Sequence, residues 1–175
     1  MRRLVSVTDV ASPVDPLQPW PLTVDWRPVS SRLIIVEQIR LAGVVLVLAV
    51  AAALLWTWLD AWPFLAGAIA VVVIGAVRSG LIVRSVRSWG YAERAEDLLV
   101  KHGLMVRRLS IVPYARMQFV DVSAGPLERA FGLATVELHT AAAGSDARIP
   151  GLAGPEAARL RDRLAALGKT REEGL

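Results

Sequence analysis

Residues 41–77 read LAGVVLVLAVAAALLWTWLDAWPFLAGAIAVVVIGAV, from Leu41 to Val77, and their only ionisable side chain is Asp60. Leu41 to Leu59 is 19 uncharged residues and Ala61 to Val77 is 17. At about 1.5 Å of rise per residue, each run crosses or nearly crosses a hydrocarbon layer of about 30 Å. The pattern therefore predicts two apolar helices joined by a polar turn, a transmembrane hairpin. The alternative, a buried helical pair in a water-soluble α-protein, calls for a polar face on each helix, and neither run has one.

The flanks orient the hairpin. Arg27, Arg32 and Arg40 precede it and Arg78, Arg84 and Arg87 follow it, whereas the connecting turn has no cation. The positive-inside rule then places both termini on the cytoplasmic side of the membrane. Trp56, Trp58 and Trp62 cluster about Asp60 at the depth of an aromatic belt on the outer face, which makes them the expected membrane-interface anchors. Asp60 is expected to cap the second helix, with Pro63 in its first turn where a missing N–H costs nothing. A carboxylate serving ion coupling belongs at the midplane with partners, so the hairpin reads as an anchor and not as a channel or carrier. Small residues at helical spacing, Ala49 and Ala53, Ala66 and Ala70, Gly67 and Gly75, allow the two spans to pack closely.

Before the hairpin, residues 1–27 contain Pro13, Pro16, Pro19 and Pro21 and are expected to be extended or disordered. Pro16 and Pro19 fit P-x-x-P, a docking pattern too short to be specific. Met1-Arg2-Arg3 opens like a signal peptide, but Ser6, Thr8 and Asp9 interrupt any apolar core. Residues 28–40 have the periodicity of an amphipathic helix at the membrane surface, with Ser30 or Ser31 as N-cap, leading into a two-helix unit over 41–83.

After Trp89 the period changes from helical to two. Strands are expected at Tyr91–Arg94, at Asp97–Lys101 and Leu104–Val112 around a His102-Gly103 turn, at Met117–Ser123, at Ala134–Thr140 and at Ala147–Ile149. In the fifth of these, Ala134, Val136, Leu138 and Thr140 are expected to face inward and Thr135, Glu137 and His139 outward. Leu127–Gly132 reads as one helical turn. Pro155–Leu167 is an amphipathic helix with Ala157, Leu160, Leu164 and Leu167 on its apolar stripe, stopped by Gly168 and followed by a flexible tail over 169–175. Residues 88–168 thus form a small, mainly β domain covered by one terminal helix.

Composition excludes several chemistries. The chain has 175 residues and no cysteine, so disulfides, thiol catalysis and cysteine metal sites are absent together. Residues 84–175 hold 14 Lys and Arg against 11 Asp and Glu, too weak a bias for nucleic acid. His102 and His139 stand far apart with no metal-ligand spacing, and there is no phosphate loop or dinucleotide fingerprint. No catalytic, cofactor or metal residue is assigned, and a non-enzymatic role is expected.

The order of motifs is more specific than any one of them. A hairpin and a Tyr-led strand are followed by Ile111-Val112-Pro113 with Arg116-Met117-Gln118, and by Gly125-Pro126-Leu127 with Arg129-Phe131-Gly132-Leu133. Leu138-His139-Thr140-Ala141 and Ile149-Pro150-Gly151-Leu152 complete the series. From Trp26 to Leu167 this resembles the small bacterial membrane proteins with a pleckstrin-homology-like domain, the YdbS-like group. The resemblance implies two near-orthogonal antiparallel sheets capped by the C-terminal helix, no catalytic residues, and a place in the cell envelope, often beside a larger relative with several such domains. Met117-Gln118 replaces the more usual Ile-Gln.

Two roles follow for such a domain. Lys101, Arg107, Arg108 and Arg116 lie on or beside the expected strand hairpin, and anionic lipid contact is one reading of them. The leading reading is an interaction module: two helices already hold the domain at the membrane, so what remains to be supplied is recognition of another membrane or envelope protein through a sheet edge or loop.

Overall fold

The computed structural model describes residues 24–59, 62–140 and 146–172, with side chains to residue 167. The Asp60 cap and residues 1–23 lie outside the described residues. Strand β1 (Arg27–Pro28) precedes α1 (Arg32–Leu59) and α2 (Trp62–Ser88). Then come β2 (Gly90–Glu93), β3 (Asp97–His102) and β4 (Arg108–Pro113), a 3-10 turn at Tyr114–Arg116, and β5 (Met117–Ser123). The chain continues through α3 (Pro126–Ala130), β6 (Leu133–Thr140), β7 (Ala147–Ala153) and α4 (Gly154–Glu172). Two antiparallel sheets result, ordered β1-β2-β3-β4 and β5-β6-β7. Helix α4 packs on all three strands of the second sheet.

Helix α1 is one unbroken element of 28 residues, about 42 Å long. That exceeds the hydrocarbon layer, so the surface helix and the first span are continuous. Ser30 starts it: its Oγ accepts the Arg32 N–H at 3.3 Å and its carbonyl accepts the Leu33 N–H at 3.1 Å. Helices α1 and α2 run antiparallel and are in close contact where Gly75 faces Val45; a Cβ on Gly75 would lie 2.6 Å from Val45 Cγ2. Nearer the domain, the Gln38 amide donates to the Ser79 carbonyl at 3.1 Å and accepts the Ser79 hydroxyl at 2.9 Å. Gly75→Leu is expected to pry the spans apart and cost about 1–3 kcal/mol, read as a lower melting temperature in detergent.

The hairpin is inserted into the domain, not appended to it. Arg27 and Pro28 pair with Tyr91 and Gly90, so residues from both sides of the hairpin share one sheet. Val29, Leu33 and Val36 from its start and Val86 from its end are buried in the same core as Tyr91, Leu98, Val112, Ile149 and Leu160. The Ser30 N–H donates to the Gly151 carbonyl at 3.0 Å, which fixes α1 against β7. A domain drawn from residue 88 onward omits these contributions. A two-residue strand containing proline has no period by which to be found.

Three further differences have local causes. Leu104–Val106 forms a loop, because Gly103 at φ +118° turns the chain and the His102–Arg108 pairing leaves residues 103–107 outside the ladder. Its side chains are exposed, so an apolar run that reads as a buried strand is surface. Thr135 is buried although an outward face was expected; the pairing of β6 with β7 shifts between Ala134 and Val136, and the bulge breaks the alternation. Helix α4 runs on to Glu172, through the first residues of the expected tail. The expected stripe on α4 holds, with Ala157, Leu160 and Leu164 fully buried.

Candidate functional site

The four cations singled out in the sequence do not form one pocket. Lys101 lies on β3 with its Nζ 4.3 Å from the centre of the Trp26 ring, and burial pushes its pKa down. Arg107 is in the exposed β3–β4 loop and Arg108 opens β4, opposite His102. Arg116 closes the 3-10 turn beyond Pro113, past the far end of the strand that Arg108 opens, which is about 17 Å long. Lys101, Arg107 and Arg108 therefore share the loop end of the sheet, and Arg116 does not.

That loop end is tied to the hairpin. The Gly103 N–H donates to Ser88 Oγ at 3.2 Å, and the His102 ring stacks on Trp89 at 4.5 Å with 15° between planes. Next to this fixed base, Met105 is 94% exposed, with Leu104 and Val106 also on the surface. Burial, and then the Arg108 charge, pushes the His102 pKa below its ordinary value. The unfolded chain therefore takes up the proton more readily than the folded one. Stability should be full above pH about 6.5 and decline as pH falls below it. Melting temperatures between pH 5 and 8 should show that slope in the native chain and a flatter one in His102→Phe, which retains the stacking partner of Trp89. His139 stacks on Phe119 at 4.4 Å in the second sheet and has no part in this cluster.

A second feature escaped the sequence reading. A cleft of about 640 Å³ opens between the domain end of the hairpin and the domain. Arg40, Arg78 and Arg148 supply its cations, Glu37 and Glu128 its carboxylates, and Leu81, Ile82, Trp89 and Leu104 an apolar wall. Arg40 bonds Glu37 at 2.8 Å and reaches Glu128 at 3.4 Å, while the other Glu128 oxygen accepts the Gly125 N–H at 2.8 Å. Arg40 and Arg78 are visible in the sequence only as the charges that bound the apolar runs. Arg148, on a strand 70 residues further along than Arg78, carries no signal that would join it to them.

The third feature is structural. Glu93, nearly buried, meets Arg159 at 2.7 Å, Arg163 at 3.3 Å and Arg27 at 3.8 Å, tying α4 and β1 to β2. Beside it the Tyr91 hydroxyl donates to Glu156 at 2.6 Å; burial first, and that carboxylate second, push its pKa up to about 12.

The bacterial PH domain family model matches residues 30–168, hairpin and domain together. The chain belongs to the bacterial PH domain family. A relative in Bacillus subtilis (strain 168), UPF0699 transmembrane protein YdbS, is 33% identical over 141 residues, covering 78% of this chain and 87% of the relative. No solved structure gives a significant match. The fold accords with the match: two apolar helices long enough to span a membrane, then two antiparallel sheets and a terminal helix. The protein is a transmembrane protein with two spans and a bacterial PH domain. Trp56, Trp58 and Trp62 lie at the end of the hairpin farthest from the PH domain, all exposed.

Proposed function

We propose that this protein is a non-catalytic module that holds its PH-like domain at the cytoplasmic face of the bacterial plasma membrane, where it binds another membrane or envelope protein. A larger relative with several such domains is a suitable partner. The observation that supports this reading is the terminal position of β4: no strand lies on its outer side among the described residues, and Ile111 on it is 50% exposed. An unpaired strand edge offers a row of backbone donors and acceptors to an added strand, and a half-exposed side chain adds selectivity. The orientation rests on the arginines that flank the hairpin and their absence from its turn, with the three tryptophans as the outer belt.

A photo-reactive residue at position 111 in cells should crosslink one identified membrane protein, and the same probe at Arg161 on α4 should not. Charge introduced by Ile111→Lys should weaken the adduct. Equal labelling from both positions would end the β4 reading. A reporter fused to the C-terminus should be active only in its cytoplasmic form.

One observation favours a second reading, contact with anionic lipid headgroups. Met105, flanked by Leu104 and Val106, is followed directly by Arg107 and Arg108, an apolar tip beside two cations. Cations near an anionic leaflet contribute about 1 kcal/mol each. Charge reversal at Arg107 and Arg108 should then lower the attachment of the β3–β4 loop to phosphatidylglycerol vesicles, measured by quenching of a probe on Met105→Cys, and leave the Ile111 crosslink in place.

A further inference from the structure

The cleft between hairpin and domain shares Leu104 with the β3–β4 loop but none of that loop's cations, and its position is set by the helix pairing. Gln38 bonds Ser79 and Gly75 packs on Val45, so α1 near residue 40 lies opposite α2 near residue 78. Arg40 and Arg78 are thus level with each other, and each is the cation next to its apolar run. At that level an apolar span gives way to the charged headgroups of a leaflet.

The charges in the cleft do not cancel. Glu37 and Glu128 both engage Arg40, and Glu128 also accepts the Gly125 N–H. Arg148 is engaged from outside the cleft by Glu137 at 3.2 Å. Arg78 has no ion pair or hydrogen bond among the described residues, so the uncompensated group is a cation.

The walls specify the rest of the ligand. Leu81 and Ile82 line the cleft on the face of α2 that carries Arg78, with Trp89 just past the helix end, and the same face continues towards the membrane through the exposed Ile74. On α1, Leu33, Glu37 and Arg40 share a face with the exposed Val44. A volume of about 640 Å³ lies within the range of about 300–1,000 Å³ usual for small-molecule sites, which accommodates a polar head and not a pair of long chains.

We propose that the cleft binds the head group of an anionic phospholipid from the adjoining leaflet. The phosphate sits on Arg78 with Arg40 and Arg148 nearby, and the acyl chains lie outside along Ile74 and Val44. A free phosphate leaves the apolar wall in water, and a neutral head leaves Arg78 without a counter-charge. The site is distinct from the β4 edge and does not depend on the partner reading.

The full-length protein in a non-ionic detergent carrying equal phosphatidylglycerol and phosphatidylcholine tests this by native mass spectrometry. One retained phosphatidylglycerol is expected, held about tenfold or more weakly in Arg78→Gln. Arg84→Gln, on the same helix and outside the cleft lining, should hold it as the native chain does. Because Arg78 has no partner, its variant should melt at the native temperature, which separates lost binding from lost folding. Equal retention of the two lipids, or equal loss in both variants, marks annular lipid only and overturns the proposal. So does calorimetric binding of inorganic phosphate that needs Arg78 in the absence of lipid, or occupation of the cleft by a co-purifying polypeptide.

Discussion

Replacing Gly151 by valine is expected to destabilise the protein by about 3–5 kcal/mol and to release the hairpin from the domain. Gly151 has φ +67° and is buried where β7 meets the first turn of α1. A left-handed backbone costs an L-residue about 1–2 kcal/mol, and a β-branched one more. The added Cβ would also meet three Leu33 side-chain atoms at 2.7–3.0 Å. Leu33 is 4% exposed and belongs to the common core, so it cannot swing aside, and overpacking adds about 1–3 kcal/mol. The Ser30 N–H bond to the Gly151 carbonyl lies at the same point and would be disturbed by the displacement. Thermal melting in detergent should fall by many degrees, and limited proteolysis should open a new site between residues 24 and 31. Gly80→Val is the control: Gly80 lies on α2 outside any close contact, with nothing within 4 Å of its added Cβ, and its replacement should change little beyond helix propensity. A melting temperature for Gly151→Val within a degree or two of native would refute the account of the junction.

Glu93→Ala is expected to cost about 1–3 kcal/mol. Its carboxylate is 8% exposed and faces three guanidiniums that are 50%, 41% and 58% exposed. Removing one side of a fully buried pair costs about 3–5 kcal/mol, but arginines already half in water regain hydration, which lowers the figure. What remains is loss of the link between α4, β1 and β2, with three like charges left together. Arg163→Gln removes one of the three cations and leaves the carboxylate paired, so it should cost below about 1 kcal/mol. Chemical denaturation of the two variants side by side would show the asymmetry; similar costs would mean that Glu93 is not the hub of the cluster.

Much of this fold was legible in the sequence because it is periodic. The uninterrupted apolar runs, the period-2 segments after Trp89 other than residues 104–107, and the stripe Ala157, Leu160, Leu164 appear as elements where the pattern placed them. What was not legible depends on contacts between distant segments. Nothing local in Arg27-Pro28 announces a strand, since its partner lies beyond the hairpin at Gly90 and Tyr91. Leu104-Met105-Val106 has the composition of a strand and the geometry of a loop, because periodicity reports which residues are apolar and not which are covered. The cleft is the clearest case: Arg40, Arg78 and Arg148 come from α1, α2 and β7, and only the packing of the hairpin on the domain brings them together.

The insertion of the hairpin also bears on how the domain samples its surroundings. A domain on a flexible tether sweeps a volume that grows with linker length, and its local concentration at any one point of the membrane surface falls accordingly. Here α1 runs without a break from the span into the core, and Trp89 is all that separates α2 from β2. Height, tilt and azimuth of the sheets are thereby tied to those of the hairpin, and the domain turns only when the hairpin does. The partner proposed above, diffusing in the same bilayer, would meet the β4 edge at a fixed height and search two dimensions plus one rotation. The orientational entropy that a tethered domain gives up at each encounter was given up here once, on folding.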